Sequence, residues 1–402
     1  MANRNRVIYQ SEALYVGPTD DTGGNDGCRI AHPASSINQL QRVQSANYSF
    51  TIDRQDVNQF GELAAIDRVI LSAPTVALDF SYLVANMANE ESLGFHVSNG
   101  SWVSSISGIL NKTADEKCYF IRTTAEGSDA LGVANNASDQ GVIGIGNGYI
   151  TSYTTEASVG NFPTASVNVE ALNMRVYSGA SAATGSNIPA VIPETGAADT
   201  ANVFHLPDVV SHVASATGGL TDAGATGQDV TSVLRPGDIT FGLATVDSAG
   251  AETAWTGDVG AAIEDPNASV GSAKIQSYNI SFDLGRTPLE KLGSKFAFAR
   301  EIDFPVTITM SIEAQVSDLA AGGLASLVAD DVNYNLYVYL DDPRSGAAFD
   351  VCNAVYHIKR AKLDSQEFSS AIGDNKSVTL NFSAQVGGPN QNNVGFFMSG
   401  VV

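Results

Sequence analysis

The chain has 402 residues, 44% of them hydrophobic and 16% charged, with a mean hydropathy near zero. That is enough material for two or three domains with sizeable cores, and too apolar for global disorder. Its 21 basic and 43 acidic residues leave a net charge of −22, which disfavours nucleic-acid binding by phosphate neutralisation.

The start, Met1-Ala-Asn-Arg-Asn-Arg-Val-Ile-Tyr-Gln, is basic but has no apolar run behind it, so a secretory signal is not expected. The most apolar stretch, Val69 to Val84, is interrupted by Pro74 and Asp79 and is too short for a membrane helix. A soluble protein made in a cytoplasm is expected. The three cysteines, Cys28, Cys118 and Cys352, have no CxxC partner and cannot close a disulfide framework, so free thiols are expected. Asp20-Asp-Thr-Gly-Gly-Asn-Asp26-Gly loosely resembles a calcium loop, but it lacks the alternating ligands and closing Glu, and reads as an exposed acidic turn.

Between 43 and 54 the chain reads Val43-Gln-Ser-Ala-Asn-Tyr-Ser-Phe-Thr-Ile-Asp-Arg. Ala46, Tyr48, Phe50 and Ile52 share one parity, and Ser45, Asn47, Ser49 and Thr51 the other, which is the mark of a half-buried strand. The pattern returns as Ile275-Gln-Ser-Tyr-Asn-Ile-Ser-Phe-Asp-Leu-Gly-Arg. Between 43–61 and 275–293 the matches are Gln44, Ser45, Asn47, Ser49, Phe50, Arg54 and Gly61, far more than chance pairing gives. Equal parity means both copies bury the same side.

A second strand, with Val76, Leu78, Phe80 and Tyr82 inward, corresponds to one with Val306, Ile308, Met310 and Ile312. A third, Ala165, Val167, Val169 and Ala171, corresponds to Val378, Leu380, Phe382 and Ala384; the turns Gly160-Asn161 and Gly373-Asp374 precede them. Between the first two strands, Thr287-Pro288-Leu289-Glu290 has a Thr cap, Pro at the first helical position and a capping-box Glu. Leu289, Leu292 and Phe296 follow at helical spacing, as do Val57, Phe60 and Ala64 in the first copy, so a short helix is expected flanking each sheet. A tandem duplication follows: one domain over 1–172, a second over 235–402, and between them a Gly- and Ala-rich bridge or inserted lobe over 173–234. The wider stretch 173–272 holds eleven acidic residues against Arg175 and Arg235. Within it, Asp238 to Val246 follows Pro236-Gly237 and reads as a strand of the second copy.

The signatures of catalysis are missing. His32, His96, His205, His212 and His357 form no HExxH or His-carboxylate cluster, and no GxSxG elbow occurs. Gly144-Ile-Gly146-Asn-Gly148 lacks the Lys-Ser/Thr of a phosphate loop and reads as a glycine-rich β-turn. The sequons at Asn47 and Asn279 lie inside strands. No catalytic, cofactor or metal site is expected, and the chain reads as non-enzymatic.

The repeated Gln-Ser-x-Asn-x-Ser-Phe blocks at 44–50 and 276–282, their Arg54 and Arg286, their Gly61 and Gly293, and Gly160-Asn-Phe-Pro-Thr-Ala-Ser-Val-Asn-Val-Glu-Ala-Leu resemble the tail tube proteins of tailed bacteriophages. The resemblance implies a mainly β fold: two β-sandwich or barrel domains, each with a flanking helix, repeated in a pseudo-symmetric ring. It implies stacked rings of three chains imitating six, with partners limited to further copies, other tail proteins at the tube ends, and a sheath or tape measure. DNA would pass without specific binding, and the chain would reside in the virion tail. An acidic lumen would offer phosphates no counterions to release; solubility alone is the plainer account of the charge. Arg54 and Arg286, with Gly61 and Gly293, are the candidate interface residues. A distal-tail or baseplate ring, and an extracellular β-sandwich adhesin, are the alternative readings.

Overall fold

The computed structural model describes residues 12–20, 30–31, 37–98, 103–110, 115–125, 130, 139–184, 188–192, 197–198, 204–207, 233–246, 252–254, 274–294, 296–315, 332–340, 353–369, 376–388, 391 and 393–400. The acidic turn after Asp20, the Gly373-Asp374 turn, Cys28, Cys352 and most of the expected bridge lie outside them.

The first part of the chain forms β1 (Glu12–Asp20), β2 (Ile30–Ala31), β3 (Asn38–Gln39), β4 (Val43–Thr51), β5 (Arg54–Val57), β6 (Asp67–Ile70) and β7 (Thr75–Leu83). Helix α1 (Ala88–Leu93) follows, then β8 (Val97–Ser98), β9 (Lys117–Thr124), β10 (Gln140–Ser158), β11 (Thr164–Ala171), β12 (Asn173–Ser178), β13 (Val191–Ile192) and β14 (Ala197–Ala198). The remainder gives β15 (Ile239–Val246), β16 (Glu252–Ala254), β17 (Lys274–Asp283), β18 (Arg286–Leu289), β19 (Ala299–Ile302), β20 (Thr307–Gln315), β21 (Asn333–Leu340), β22 (Ala354–Ser369), β23 (Ser377–Gln385) and β24 (Gly395–Gly400).

The fold is mainly β, as the alternating patterns require. Its centre is one antiparallel sheet of eight strands in the order β4-β7-β11-β10-β17-β20-β23-β22. The first four strands come from the first part of the chain and the last four from the second, in matching order. The two quartets join edge to edge where β10 pairs with β17: Ser152 lies opposite Asp283, Thr154 opposite Ser281 and Glu156 opposite Asn279. The sheet stays open, because β4 and the far half of β22 have no second strand among the described residues.

Strands β10 and β22 are long because each serves two layers. Their first halves leave the central sheet and pair with β9 and β12, and with β21 and β24. Both bend where the register slips, between Ile145 and Gly148 in β10 and beside Tyr334 and Leu336 in the partner of β22. Asn147 and Arg360, at those two bends, both take a φ of 55°. The glycine-rich β-turn expected at 144–148 is therefore a correction: it is the bend of a continuous strand. Gly146 is required there because a Cβ would come within 2.4 Å of the Pro189–Ala190 backbone.

One side of the eight-stranded sheet is covered by the second layer. Every inward residue of the second and third strand pairs, from Val76 to Tyr82, Val306 to Ile312, Ala165 to Ala171 and Val378 to Ala384, is buried, and one apolar core runs through both quartets. Each fully buried large side chain contributes about 1.5–3 kcal/mol. A second, smaller core gathers Tyr15, Phe120, Ile188, Phe204 and Leu206, so parts of the expected bridge pack on the first half; β12, its first stretch, pairs with β10.

The flanking helices expected at 57–64 and 287–296 are corrected: both segments belong to β-hairpins, β5–β6 and β18–β19. Thr287 does not cap; its hydroxyl donates to Asp303 Oδ2 at 2.7 Å while Pro288 lies opposite Arg300 in a two-stranded ribbon that tolerates a missing donor. A helix there would also have had no surface to bury, since Leu292 and Phe60 are fully exposed. Helix α1 follows just after β7 and is closed at Gly94 in the left-handed region.

Candidate functional site

The seam between the quartets is built twice over, polar on one side and aromatic on the other, because successive strand residues alternate faces. On the buried side Tyr153 stacks on Phe282 with centroids 5.5 Å apart, and Phe95 meets both edge-on. The Tyr153 hydroxyl donates to Glu90 Oε1 at 3.0 Å and lies 3.2 Å from the Tyr356 hydroxyl; Tyr82 also donates to Glu90 Oε1, at 2.9 Å. Helix α1 thus delivers one carboxyl to two tyrosines of the first half, and Tyr153 carries the contact on to Tyr356 of the second. Burial pushes the Glu90 carboxyl above the usual carboxylate range against the pull of those hydroxyls, and burial raises all three tyrosines too.

On the open side stand hydroxyls, amides and acids. Ser45 and Ser81 hydroxyls meet at 2.7 Å, and Ser281 and Thr309 at 3.0 Å. Asn168 donates to Ser152 at 2.7 Å, and Asn381 to Ser365 at 2.8 Å, one such pair in each quartet. The exposed carboxylates of this face are Asp79, Glu156, Asp283, Glu313 and Glu367, each opposite Ser, Thr or Asn; Lys362 stands opposite Ser383. The face is hydrophilic and strongly negative, and it is hollowed beside the seam by a cavity of about 470 Å³ lined by Glu156, Ser158, Thr164, Ser277, Asn279 and Ser311.

Arg286 and Arg54 open the two hairpins and fare differently. The Arg286 side chain is 3% exposed. It donates to both Asp115 oxygens at 2.5 and 2.7 Å, to the Ile150 carbonyl at 3.1 Å and to the Arg300 carbonyl at 3.0 Å, and lies over the Tyr149 ring. Arg300 completes the fastening through Glu170 at 2.5 Å. Both acids belong to the first half, so the second hairpin is clamped across the seam. Arg54 is exposed and has no ion pair among the described residues; its hairpin holds itself together with Arg68 on Asp56 at 2.6 Å. Gly61 and Gly293 sit at the hairpin tips with φ of +94° and +87°, a left-handed conformation that glycine adopts without a Cβ penalty. The structure therefore does not bring the four candidates together: they lie in two hairpins on separate strands' ends. Asp115, Glu170 and the Glu90–tyrosine group escaped sequence reasoning: the first two meet their partners only across the seam, and Glu90 meets Tyr82 and Tyr153 only once α1 folds over the sheet.

Among the described residues no three His, Cys, Asp or Glu are placed to hold a metal ion, and no helix is long and apolar enough to cross a membrane.

No protein-family model matches the chain, and no curated protein matches it. Among solved structures it is similar to a chain of the anti-feeding prophage baseplate, with TM-score 0.24 and 11% identity over 40% of this chain and 93% of that one. It is also similar to a chain of the native gene transfer agent virion (TM-score 0.22, 12% identity, 38% and 94% covered) and to the SPP1 tail tube (TM-score 0.22, 10% identity, 42% and 80% covered).

Proposed function

We propose that the chain is a structural, non-enzymatic subunit of a phage-type tail that assembles with its own kind into rings around a pore. The carrying observation is the eight-stranded sheet itself: two quartets in the same strand order, joined edge to edge, with an edge at each end that no strand covers among the described residues. Such a head-to-tail contact gives a ring where its rotation closes and an open filament where it does not, and a duplicated unit would close a ring with half as many chains. Three chains imitating six follow from the resemblance to tail tube proteins. The quartets' likeness, down to the bends at Asn147 and Arg360, supports descent of the 1–172 and 235–402 segments from one ancestral domain.

The open face supports a lumen role. It lacks apolar patches, and its carboxylates would repel phosphates, keeping DNA hydrated and unattached during passage. The exposed apolar hairpin tips, Phe60, Leu63 and Leu292, would serve contacts between stacked rings or with other tail proteins. Negative-stain microscopy of the purified chain tests the proposal: rings or tubes with a central pore are expected, and a strictly monomeric population at high protein concentration refutes it. Single rings that never stack would favour a distal-tail or baseplate position.

A further inference from the structure

The internal seam contains a template for the contact between chains. Phe282 and Leu284, on β17 and just beyond it, are 2% and 0% exposed: β10 lies beside them, and Phe95 and Phe396 pack on the Phe282 ring together with Tyr153. Their counterparts at the free edge, Phe50 and Ile52, are 57% and 36% exposed. At the opposite free edge Phe368 of β22 is 43% exposed. The same strand is thus sealed in one place and bare in the other, and the backbone that pairs with it at the seal is a strand of the kind that ends the sheet.

We infer that β4 of one chain docks antiparallel on the far half of β22 of a second copy, in the register of the β10–β17 seam; this rests on the ring reading above. Matching Asn147 with Arg360 matches Ser152, Thr154 and Glu156 with Ser365, Glu367 and Ser369. The shift between Ile150 and Ser152 in β10 recurs between Leu363 and Ser365 in β22, which fixes the alignment independently. Matching Phe282 with Phe50 matches Asp283, Ser281 and Asn279 with Thr51, Ser49 and Asn47. Carried into the seam's register, Thr51 faces Ser365 of the second copy, Ser49 faces Glu367 and Asn47 faces Ser369.

On the apolar side, Phe368 of the second copy lies against Tyr48 and beside Phe50. Within the chain, the Leu284 amide donates to the Thr151 carbonyl at 2.7 Å and Arg286 Nε to the Ile150 carbonyl at 3.1 Å. Between chains, Ile52 and Arg54 accordingly reach the carbonyls of Asp364 and Leu363. The joint is not an equal of the seam: Gln366 occupies the place of Tyr153, so the chain-to-chain contact lacks the tyrosine that reaches Glu90 and is the one that opens first.

Cysteine pairs in the full chain test the register, since a disulfide forms only where Cβ atoms are within about 4.5 Å. Ser49→Cys with Glu367→Cys is expected to give closed covalent oligomers on mild oxidation of assembled protein. Neither single variant should do so, nor should Ser49→Cys with Ser369→Cys, one pair out of register. More efficient linking in the shifted pair overturns the inference, as do pore-bearing rings in which the in-register pair never links; the ring reading survives both. Absence of any ring from the parent chain refutes the ring reading itself. Hydrogen exchange on the unaltered chain is the second measurement: amides of 43–51 and 362–369 should slow together on assembly, and rings that leave both segments unprotected overturn the docking. Phe50→Glu should raise the concentration needed for assembly by at least about tenfold while leaving the monomer's melting unchanged.

Discussion

Replacing Arg286 with Ala tests how the second hairpin is fastened. The side chain is almost wholly enclosed and supplies four hydrogen bonds, two of them to Asp115, whose side chain is 15% exposed. Removing it strands a largely buried carboxylate, and breaking a buried pair from one side costs about 3–5 kcal/mol. Relief by protonation is at hand, because burial already pushes the Asp115 carboxyl up while Arg286 draws it down. In Arg286→Ala the upward push prevails. A carboxyl raised in the folded state favours folding below its unfolded value and loses that contribution as pH rises through the folded one. The loss is therefore expected to be about 3 kcal/mol at pH 7.5 and distinctly smaller near pH 4. Urea midpoints of the parent, Arg286→Ala, Asp115→Asn and the double variant at both pH values measure it, and the cycle isolates the coupling. A loss under about 0.5 kcal/mol, typical of a surface position, or a loss independent of pH with additive single effects, would refute the clamp. Arg54→Ala should fall within that surface range in the monomer.

Glu90→Gln removes a carboxyl that the fold prefers neutral. By the same sign, the parent loses stability relative to the variant as pH rises above the unfolded carboxylate range, so their midpoints should diverge from pH 4 to pH 8; parallel curves would show Glu90 to be ionised at no cost. Gly61→Ala, at an exposed tip where a Cβ meets nothing within 4 Å, should cost about 1–2 kcal/mol of local backbone strain, read as faster exchange of the β5–β6 amides; no change there would mean the tip readily adopts another turn. Changing Asp79, Glu156, Asp283 and Glu313 to Lys should leave the core intact and create salt-dependent retention of double-stranded DNA, measured by filter binding at 50 and 200 mM salt. Equal retention by the parent would count against a repelling face.

Much of the central sheet was legible as alternation. Residues such as Leu78, Val167, Ile308 and Leu380 fall on the buried side because a strand has only two faces and the apolar set can occupy one. The Phe50–Phe282 match also showed that two strands are alike. It could not show that one is sealed and the other bare, since burial of an edge depends on which strand arrives beside it. The hairpins were misread because Thr-Pro-x-Glu satisfies local capping rules, whereas the choice between helix and ribbon fell to pairing with residues 299–302, ten positions on. The glycines at 144–148 read as a turn for a related reason: Pro189 presses on Gly144 and Gly146 and the Tyr119 ring on Gly148, contacts that only the folded chain creates. Arg286 was singled out from its recurrence, but Asp115 lies far off in sequence and belongs to no repeated motif.

The inequality of the two hairpins has an architectural consequence. One is bolted down by Arg286 and Arg300, while the other holds itself together and displays Phe60 and Leu63 to solvent. In a closed ring of three chains, as proposed above, a stiff prong would alternate with a compliant one, so the rim would carry a three-beat rhythm despite six similar sectors. A neighbouring component with trimeric symmetry could then tell its correct setting on that rim from the one a sixth of a turn away, two settings that a truly sixfold rim would make equivalent.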